Sequence, residues 1–338
     1  MTLSDIAREA GVSLATVDRV PHNRPRVRED TALRVMEAMQ RHGIRPHADA
    51  AELARGKPRQ FVFVMPVGPN LFMQQILDYL GEMSGWMAAR RIAIEIVATD
   101  VFDPEALAST LESLSPDIDG VGVVALDHPR VRLAIDDLVG SGKAVVTVVS
   151  DVPASQRQFY VGIDNIAAGR TAGALVGRLV GARVGGIAVV AGSANLRDHA
   201  ERIFGFRQVM SAEFSQLEML PVVEARDDDE RSESLTRLMF SVHENVIGLY
   251  NVGAGTPGVA KALIESGRAG QVVFVGHDLT ALTRRLLTRG VMDAVISQSP
   301  GREARSAMRV LLALARGEPI PSEREKIGID IIMRDNMP

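Results

Sequence analysis

The chain has 338 residues, of which 46% are hydrophobic, 24% are charged and none is cysteine. This length exceeds what one hydrophobic core usually holds, so two or three domains are expected. The absence of cysteine excludes a disulfide framework, a thiolate metal site and a cysteine nucleophile. The longest apolar runs, residues 61–65 and 144–149, are strand-length and far short of the about twenty residues that span a bilayer. We expect a cytoplasmic protein without a membrane segment or export signal, because charges interrupt the first apolar positions.

Charge is distributed unevenly along the chain. Residues 1–59 hold 11 Arg and Lys against 8 Asp and Glu, whereas the remainder holds 27 against 34, and the net charge of the whole is −4. A mildly basic segment joined to an acidic body is typical of a small module that binds a polyanion. The pattern therefore favours nucleic-acid contacts in the N-terminal segment.

The N-terminal segment has the periodicity of a small helical domain. Its first helix is expected to end at Gly11, and Ser13 is expected to cap the second, which stops before Pro21. A linker follows the fourth helix, because glycine and proline occur together and the periodicity changes. The four predicted helices lie at residues 3–10, 13–20, 29–42 and 48–55.

From residue 60 onward, strand and helix patterns alternate. Strands that are apolar on both faces and separated by helices indicate parallel sheets covered on both sides. We expect two similar α/β lobes with a ligand cleft at the carboxyl ends of the strands. The predicted strands lie at residues 61–66, 92–98, 120–126, 144–149, 160–163, 187–191, 219–224, 246–251, 272–276 and 294–297.

The stretch "TLSDIAREAGVSLATVDRV", followed by "RVREDTALRVMEAM", "GIRPHADAAELARGK" and an α/β body, resembles the lactose-repressor family of transcription regulators. The resemblance implies an all-α helix-turn-helix head and an effector domain like a periplasmic sugar-binding protein, with two doubly wound parallel-sheet lobes. The resemblance implies a head at 1–46, a hinge helix and linker at 47–59, and an effector-binding and dimerisation domain at 60–338. Within that domain it implies an N-lobe at about 60–161 and 293–323 and a C-lobe at about 162–292 and 324–338.

The resemblance makes the second helix the one that enters the major groove of DNA. Leu14 and Ala15 would face base edges, where apolar contact favours a thymine methyl group. Arg19 suits guanine O6 and N7, and Thr16 suits a phosphate. Val17 would face the core of the head. The predicted contacts of this helix are Ser13, Leu14, Ala15, Thr16 and Arg19.

The segment 48–55 resembles the hinge helix of the family, which forms when two copies meet in the minor groove of the operator. Leu53 would be inserted at a base step, since an apolar wedge bends the duplex and brings more protein into contact with it. Arg55 would hold a flanking phosphate. The alternative is an ordinary linker helix with one leucine facing a core.

Polar and aromatic residues follow the strands of both lobes, and these are the candidate effector contacts. Amides, carboxylates and a guanidinium that converge from two sides satisfy the hydroxyls of a sugar, a polyol or a sugar acid. By resemblance, Arg202, Asp278 and Gln298 align best with family ligand positions, whereas Asn70, His128 and Arg197 are equally well explained as capping or surface groups. The candidates are Asn70, Phe72, Asp127, His128, Arg197, Arg202, Asn251, Asp278 and Gln298.

Two other functions compete with a regulator. Gly253, Gly255 and Gly258 form a Gly-x-Gly-x-x-Gly pattern after a strand, which is typical of an NAD-type oxidoreductase. A solute-binding transport protein would share the two lobes but would have no use for the head. No metal spacing or nucleophile triad is evident, so we expect no cofactor, no metal and no catalysis. The expected partners are a pseudo-palindromic operator in double-stranded DNA, a small effector and a second copy in a homodimer.

Overall fold

The computed structural model describes residues 3–19, 31, 34, 35, 38, 58–68, 70–320 and 322–338. The predicted hinge helix, with Leu53 and Arg55, lies outside these residues. The chain divides into two compact units, residues 1–61 with 82–95 and residues 62–81 with 96–338. Among the described helices, none has the length and apolar composition that a membrane span requires.

Strands and helices alternate through the body, as predicted. In the described part of the chain the strands are β1 (Arg59–Pro66), β2 (Ile92–Thr99), β3 (Gly120–Val123), β4 (Ala144–Val148), β5 (Phe159–Val161), β6 (Gly186–Ala191), β7 (Glu218–Glu224), β8 (Val246–Asn251), β9 (Val273–His277), β10 (Ala294–Ser297) and β11 (Asp330–Ile332).

The helices fall before β1 and between most of the strands. Over the same residues they are α1 (Leu3–Glu9), α2 (Leu14–Arg19), α3 (Leu71–Glu82), α4 (Ser84–Ala88), α5 (Pro104–Glu112), α6 (Pro129–Gly140), α7 (Asn165–Val180), α8 (Arg197–Glu213), α9 (Asp229–Val242), α10 (Thr256–Glu265), α11 (Ala281–Thr288), α12 (Pro300–Arg316) and α13 (Ser322–Glu325), with a 3₁₀ turn at Arg334–Asn336.

The N-terminal helices enclose a small apolar core. Gly11 has a φ of 64° and ends α1 as predicted, since glycine adopts this left-handed conformation without a steric penalty. Within the predicted third helix, residues 31, 34, 35 and 38 are helical. The buried core consists of Ile6, Ala7, Ala10, Val17, Val35 and Ala38, which confirms the inward position of Val17.

The first sheet has five strands in the order β2-β1-β3-β4-β5, and we call this sheet with its helices the N-lobe. The pairs β3–β4 and β4–β5 are parallel. All five residues of β4 are buried, because helices cover both faces. The predicted strand 120–126 ends earlier, at Val123. Asp103 begins α5 by accepting hydrogen bonds from the backbone of Glu105 and Ala106.

The second sheet has six strands in the order β11-β10-β9-β8-β6-β7, and we call it with its helices the C-lobe. Its pairs are parallel except that β11 is antiparallel to β10. The strand β11 is not predicted from the sequence, because three residues are too few to show alternation. Two regions of apolar packing support the lobes, one around Val64 and Val121 and the other around Leu249 and Phe274.

The position of β10 corrects one predicted division. The segment 293–323 is expected in the N-lobe, but Ala294 pairs with Val275 of β9, so β10 belongs to the C-lobe. Helix α12, which follows directly, packs on β3, β4 and β5 of the N-lobe. The chain therefore passes between the lobes at Gln298 and Ser299, after β10 and not before it.

Candidate functional site

A cavity of 620 Å³ lies at the carboxyl ends of the strands, between the two lobes and within the second compact unit. This is where open parallel sheets bind ligands, and the volume lies within the range of about 300–1,000 Å³ that is usual for small-molecule sites. Five of the predicted effector residues line it, namely Asn70, Phe72, Arg202, Asp278 and Gln298.

Three predicted residues are held elsewhere and do not line the cavity. Asp127 accepts two hydrogen bonds from the Arg132 guanidinium, the shorter at 2.6 Å. His128 caps α6, its Nδ1 accepting from the backbone of Arg130 at 3.3 Å. Arg197 pairs with Glu201 at 2.6 Å, one helical turn along α8. These side chains serve as caps and ion pairs, which sequence patterns do not distinguish from ligand contacts.

Asn251 shapes the cavity wall without lining it. Its Nδ2 donates to the carbonyls of Gly253 and Ala254, each at 3.1 Å, and to Thr256 Oγ1 at 3.0 Å. Gly253, Ala254 and Thr256 do line the cavity. Asn251 therefore holds the loop after β8 in place and acts on a ligand indirectly, through the residues of that loop.

Arg202 lines the cavity from α8, and we call the part of the cavity around it the floor. Its side chain is 2% exposed, its Nε donates to Asn165 Oδ1 at 2.8 Å and its Nη1 donates to the Val252 carbonyl at 2.9 Å. Its Nη2 is buried and has no partner among the residues that the structure describes. Buried polar groups are normally hydrogen-bonded, so this nitrogen is available for a ligand oxygen.

The position of Arg202 depends on close contact between α7 and α8. A Cβ at Gly169 would collide with the backbone carbonyl of Arg202, and a Cβ at Gly205 would collide with the carbonyl of Ile166. Glycine at both positions lets the two helices approach until their backbones touch. The guanidinium is thus placed by a backbone contact as well as by its own hydrogen bonds.

Asp278 occupies an unusual backbone conformation at the end of β9. Its φ is 67°, a region that few side chains other than Asn and Asp adopt. The residue is partly exposed, but its Oδ1 is buried and has no partner. Burial raises the pKa of Asp278 to about 7, although Arg202 and hydrogen bonds from Gln298 act in the opposite direction. The Oε1 of Gln298 is also buried without a partner.

Further titratable groups that are not predicted from the sequence line the cavity, among them Asp198, His199 and Asp227. Asp198 and His199 are buried, and Asp198 Oδ2 lies 3.6 Å from His199 Nε2. The Nδ1 of His199 accepts from the Ser193 backbone at 3.3 Å. Asp227 accepts from the Ala254 backbone at 3.1 Å, and burial raises its pKa.

One of these residues has a signal in the sequence. Asp198 stands four positions before Arg202, and residues at this spacing share a face of a helix. An arginine proposed for the cavity therefore implies that Asp198 faces it as well. Asp227 belongs to the stretch "ARDDDERSES" after β7, where several acidic residues are equally plausible from the sequence alone.

A second group of buried side chains supports the floor. The Tyr250 hydroxyl lies 2.7 Å from His277 Nε2, and the Tyr250 ring stacks on Phe206 with centroids 4.8 Å apart. Burial lowers the pKa of His277 well below its usual range, so its imidazole is neutral. Glu303 at the start of α12 has both carboxyl oxygens buried without a partner, and burial raises its pKa well above the usual range.

Among the described residues, an ion pair and a hydrogen bond connect the lobes across the cavity. Arg226 of the C-lobe pairs with Asp100 of the N-lobe at 2.9 Å, and its guanidinium lies 5.3 Å from the ring centroid of Phe102. Gln75 Nε2 also donates to the Leu279 carbonyl at 3.4 Å. We call the Asp100–Arg226 ion pair the cleft bridge, since it connects loops from opposite lobes.

The glycine pattern after β8 is explained by packing. Gly255 has a φ of 77°, and a Cβ there would collide with Ser232. A Cβ at Gly258 would collide with the Asp229 carbonyl of the neighbouring helix α9. The glycines thus allow a tight turn and a close contact between α9 and α10, which accounts for the spacing without a dinucleotide.

The described part of the chain at α2 includes several of the predicted DNA-reading residues. Ser13 Oγ accepts from the Thr16 backbone at 3.2 Å, which confirms Ser13 as the cap. Leu14 is 50% exposed, and Ala15 is also exposed. Thr16 is half-buried, with its hydroxyl 2.9 Å from that of Ser13. Arg19 is the last residue of α2, and its side chain lies outside the described part of the structure.

Two family models match the chain in succession. Residues 2–47 match the bacterial regulatory proteins of the lacI family, and residues 61–319 match the periplasmic binding protein domain. The chain belongs to the periplasmic binding protein domain family, and its N-terminal segment matches the lacI regulatory proteins. Within this family arrangement the α1–α2 pair falls in the regulatory-protein match, and the cavity falls in the binding-protein match.

Similar proteins include regulatory proteins. The HTH-type transcriptional regulator DegA of Bacillus subtilis is 25% identical over 62% of this chain and 60% of its own length. The catabolite control protein A of Priestia megaterium is 40% identical over 22% of this chain and 23% of its own length. The matches therefore span less than two thirds of either relative.

Solved structures share the fold of the body. GanP, a glucose-galactose binding protein from Geobacillus stearothermophilus, has a TM-score of 0.75 at 20% identity, covering 83% of this chain and 99% of that protein. A transporter solute-binding protein from Burkholderia graminis, solved with D-arabinose, has a TM-score of 0.74 at 22% identity, covering 82% and 96%. At 20% and 22% sequence identity, the similarity to these structures shows the fold of the two lobes alone.

Proposed function

We propose that the chain is a sequence-specific transcriptional repressor whose affinity for its operator is controlled by a small effector bound between the lobes. The observation that carries the proposal is one chain joining an exposed, serine-capped second helix to a two-lobed body whose cavity holds unpartnered polar atoms. The regulators DegA and catabolite control protein A support the same assignment.

The head reads the operator through α2. Leu14 and Ala15 contact base edges, Arg19 contacts a guanine, and Ser13 and Thr16 lie near the phosphates. The segment 48–55 forms the hinge helix, in which Leu53 enters the minor groove and Arg55 holds a phosphate. These contacts place one head on each half of a pseudo-palindromic operator, so the active form is a cytoplasmic homodimer.

The effector is a sugar, a polyol or a sugar acid, and the protein carries out no catalysis. Arg202, Asp278 and Gln298 hold the effector through atoms that lack protein partners. Binding changes the angle between the lobes and thereby the spacing of the two heads. Coupling of this kind is typically worth about 1 to 3 kcal/mol, or about 5- to 150-fold in operator affinity.

The substitution Leu14→Ala tests the DNA-reading role. Operators are first selected from random duplexes with the purified full-length protein, and affinity is then measured for the selected and for scrambled duplexes. We expect Leu14→Ala to weaken the selected duplex by about 1 to 3 kcal/mol and to leave scrambled duplexes unchanged, because base contacts carry the specificity.

Leu133→Ala provides a matched control, since Leu133 is also an exposed leucine on a helix, at 60% against 50% for Leu14. The control is expected to bind the selected duplex like the unmodified protein. Selection that yields no preferred sequence, or equal losses on selected and scrambled duplexes, would contradict the proposal.

A further inference from the structure

The polar atoms of the cavity that lack a protein partner are concentrated on the C-lobe. Within the described part of the chain, no hydrogen-bond partner is found for the buried atoms Asp198 Oδ1, Arg202 Nη2, Asp278 Oδ1 and Gln298 Oε1. Their side chains all line the cavity and follow strands of the six-stranded sheet. Because burying an unpaired polar group is unfavourable, these atoms mark the positions of ligand groups that donate and accept hydrogen bonds.

The N-lobe side of the cavity has a different character. Val67 and Leu71 line it and are 56% and 48% exposed. Phe72, Val101 and Phe102 line it as well. All five belong to the loops after β1 and β2 or to the start of α3, and we call them the apolar wall. Phe72 and Val101 are themselves buried, whereas Val67 and Leu71 are open to the cavity and have the chemistry of a surface that a ligand covers.

The polar side chains beside the apolar wall are already engaged. Asn70 Oδ1 accepts from the backbones of Phe72 and Met73 at 3.0 and 3.2 Å. Asp100 pairs with Arg226 in the cleft bridge and also accepts from the Phe102 backbone at 2.9 Å. Among the described N-lobe residues that line the cavity, Ser150 has the one buried side-chain oxygen without a partner. Hydroxyl groups of a ligand are therefore directed mainly to the C-lobe.

The volume of the cavity exceeds the needs of a single sugar ring. At about 30 Å³ for each water molecule in the liquid, 620 Å³ corresponds to about twenty waters. The cleft bridge already joins the lobes at 2.9 Å, so this volume is not that of a widely open cleft. Room therefore remains beside the apolar wall after a sugar ring has bound to the C-lobe.

The charges near the floor disfavour an acid. The carboxyl groups of Asp198, Asp227 and Asp278 line the same cavity as the single buried guanidinium of Arg202. A ligand carboxylate or phosphate that paired with Arg202 would also lie near these carboxyl groups. It would repel those that are ionised and oppose the ionisation of Asp227 and Asp278, whose pKa values burial already raises. Uncharged hydroxyls avoid this cost, because each can donate to a carboxylate and accept from the guanidinium.

We propose that the effector is an uncharged polyol that carries an apolar substituent, as in a glycoside with an aryl or alkyl group. The polyol binds the C-lobe through Asp198, Arg202, Asp278 and Gln298, and the substituent lies against the apolar wall. The inference rests on the proposed effector-binding function and specifies the chemical class of ligand for that site.

Calorimetric titration of the full-length protein tests the inference with matched probes. The probes are common hexoses and pentoses, their phenyl and octyl glycosides, and the corresponding uronic acids. For the sugar that fits, we expect the phenyl or octyl glycoside to bind at least about tenfold more tightly than the free sugar, because it buries apolar surface. The uronic acid is expected to bind more weakly than both.

The substitution Leu71→Ser tests whether the tighter binding of the glycoside depends on the apolar wall. The variant should lose most of the advantage of the glycoside and keep the affinity of the unmodified protein for the free sugar. Leu133→Ser, at an exposed leucine on α6 outside the cavity, should keep both. Leu71 is half exposed at the first turn of α3, where serine is well tolerated in a helix.

The outcomes separate the two proposals. Equal binding of a free sugar and its glycosides, or a glycoside advantage that Leu71→Ser does not reduce, overturns the inference and leaves effector control in place. Tightest binding of a uronic acid overturns the uncharged character of the ligand. Binding of none of the sugars, glycosides or acids overturns the proposed effector class and the inference with it.

Discussion

Asp278 combines a left-handed backbone, a buried unpartnered oxygen and a pKa of about 7. Its ordinary pKa is 3.8, so the native state holds this proton more tightly than the unfolded chain does. The free energy of unfolding therefore falls as the pH rises from about 4 to about 7, because the ionised carboxylate is poorly solvated in the folded protein. Such conformations and shifts cluster at binding sites, where they keep a group ready for a ligand.

Replacing this carboxyl group tests the shift. We expect Asp278→Asn to stabilise the effector-free protein above pH 7 and to lose that advantage as the pH falls toward 4, since each unit of pKa difference is worth about 1.4 kcal/mol. The measurement is urea unfolding of both proteins at intervals between pH 4 and 8. The exposed Asp137 on α6 offers a control, because Asp137→Asn makes the same chemical change on the surface, away from the cavity. A constant difference between Asp278→Asn and the unmodified protein would contradict the shift.

Some residues of the cavity are predicted from the sequence and others are not, and the cause of success or failure differs from residue to residue. Arg202, Asp278 and Gln298 are predicted by resemblance, and all three line the cavity. Asp127 has the same position after a strand, but a nearby Arg132 pairs with it, which strand periodicity does not reveal. Glu303 is fully buried at the start of α12, a placement that nothing in its local sequence indicates.

At the scale of elements, the pair α7 and α8 sets the floor of the cavity. Gly169 and Gly205 bring the two backbones together, and Gly169 lies against the backbone carbonyl of Arg202. An added methyl group there must push α8 away, and with it the guanidinium. Packing between helices and effector affinity are therefore expected to change together.

The substitution Gly169→Ala tests this coupling. We expect a loss of about 1 to 3 kcal/mol in stability from overpacking, together with a loss of effector affinity. Gly81→Ala is the matched control, because Gly81 is also helical and a Cβ there meets no atom within 4 Å. Its expected effect is a gain of about 0.5 to 1 kcal/mol, as alanine favours a helix over glycine. Thermal unfolding and effector titration check both, and an unchanged effector affinity in Gly169→Ala would argue against a positioning role for this contact.

The elements themselves are largely predictable, since buried parallel strands give long apolar runs. Nine of the ten predicted strands differ from the observed bounds by two residues at most, and the exception, 120–126, includes three residues of the loop after β3. The lobe assignment of β10 is not predictable in the same way, because α12 returns to the N-lobe directly after it. Local patterns identify a strand, whereas its sheet depends on contacts that are distant in sequence.

For the whole molecule, the cleft bridge is one of the contacts that hold the lobes together without an effector. Arg226 and Asp100 have side chains 47% and 41% exposed. Exposed ion pairs contribute about 0 to 1 kcal/mol and weaken with salt. The bridge therefore favours a closed arrangement only slightly, and an effector that contacts both lobes adds the larger share.

Removing the cleft bridge should open the effector-free protein more than the effector-bound protein. We expect Arg226→Ala to increase the radius of gyration of the effector-free protein in small-angle scattering, and to weaken effector binding by no more than about fivefold. With saturating effector the scattering should match that of the unmodified protein. Arg237→Ala, which removes an exposed ion pair with Glu233 inside the C-lobe, is the control. An unchanged radius in the free Arg226→Ala protein would show that the bridge does not hold the cleft.

The crossover at Gln298 has a consequence for how ligands act. This residue joins β10 of one lobe to α12 on the other, and its side chain also lines the cavity. A molecule that pairs with the Gln298 side chain thus contacts a residue of the segment that connects the two lobes. An analogue that fills the same space but leaves this amide unpaired is therefore expected to act as an antagonist, which competes with the natural ligand and produces no change in gene expression.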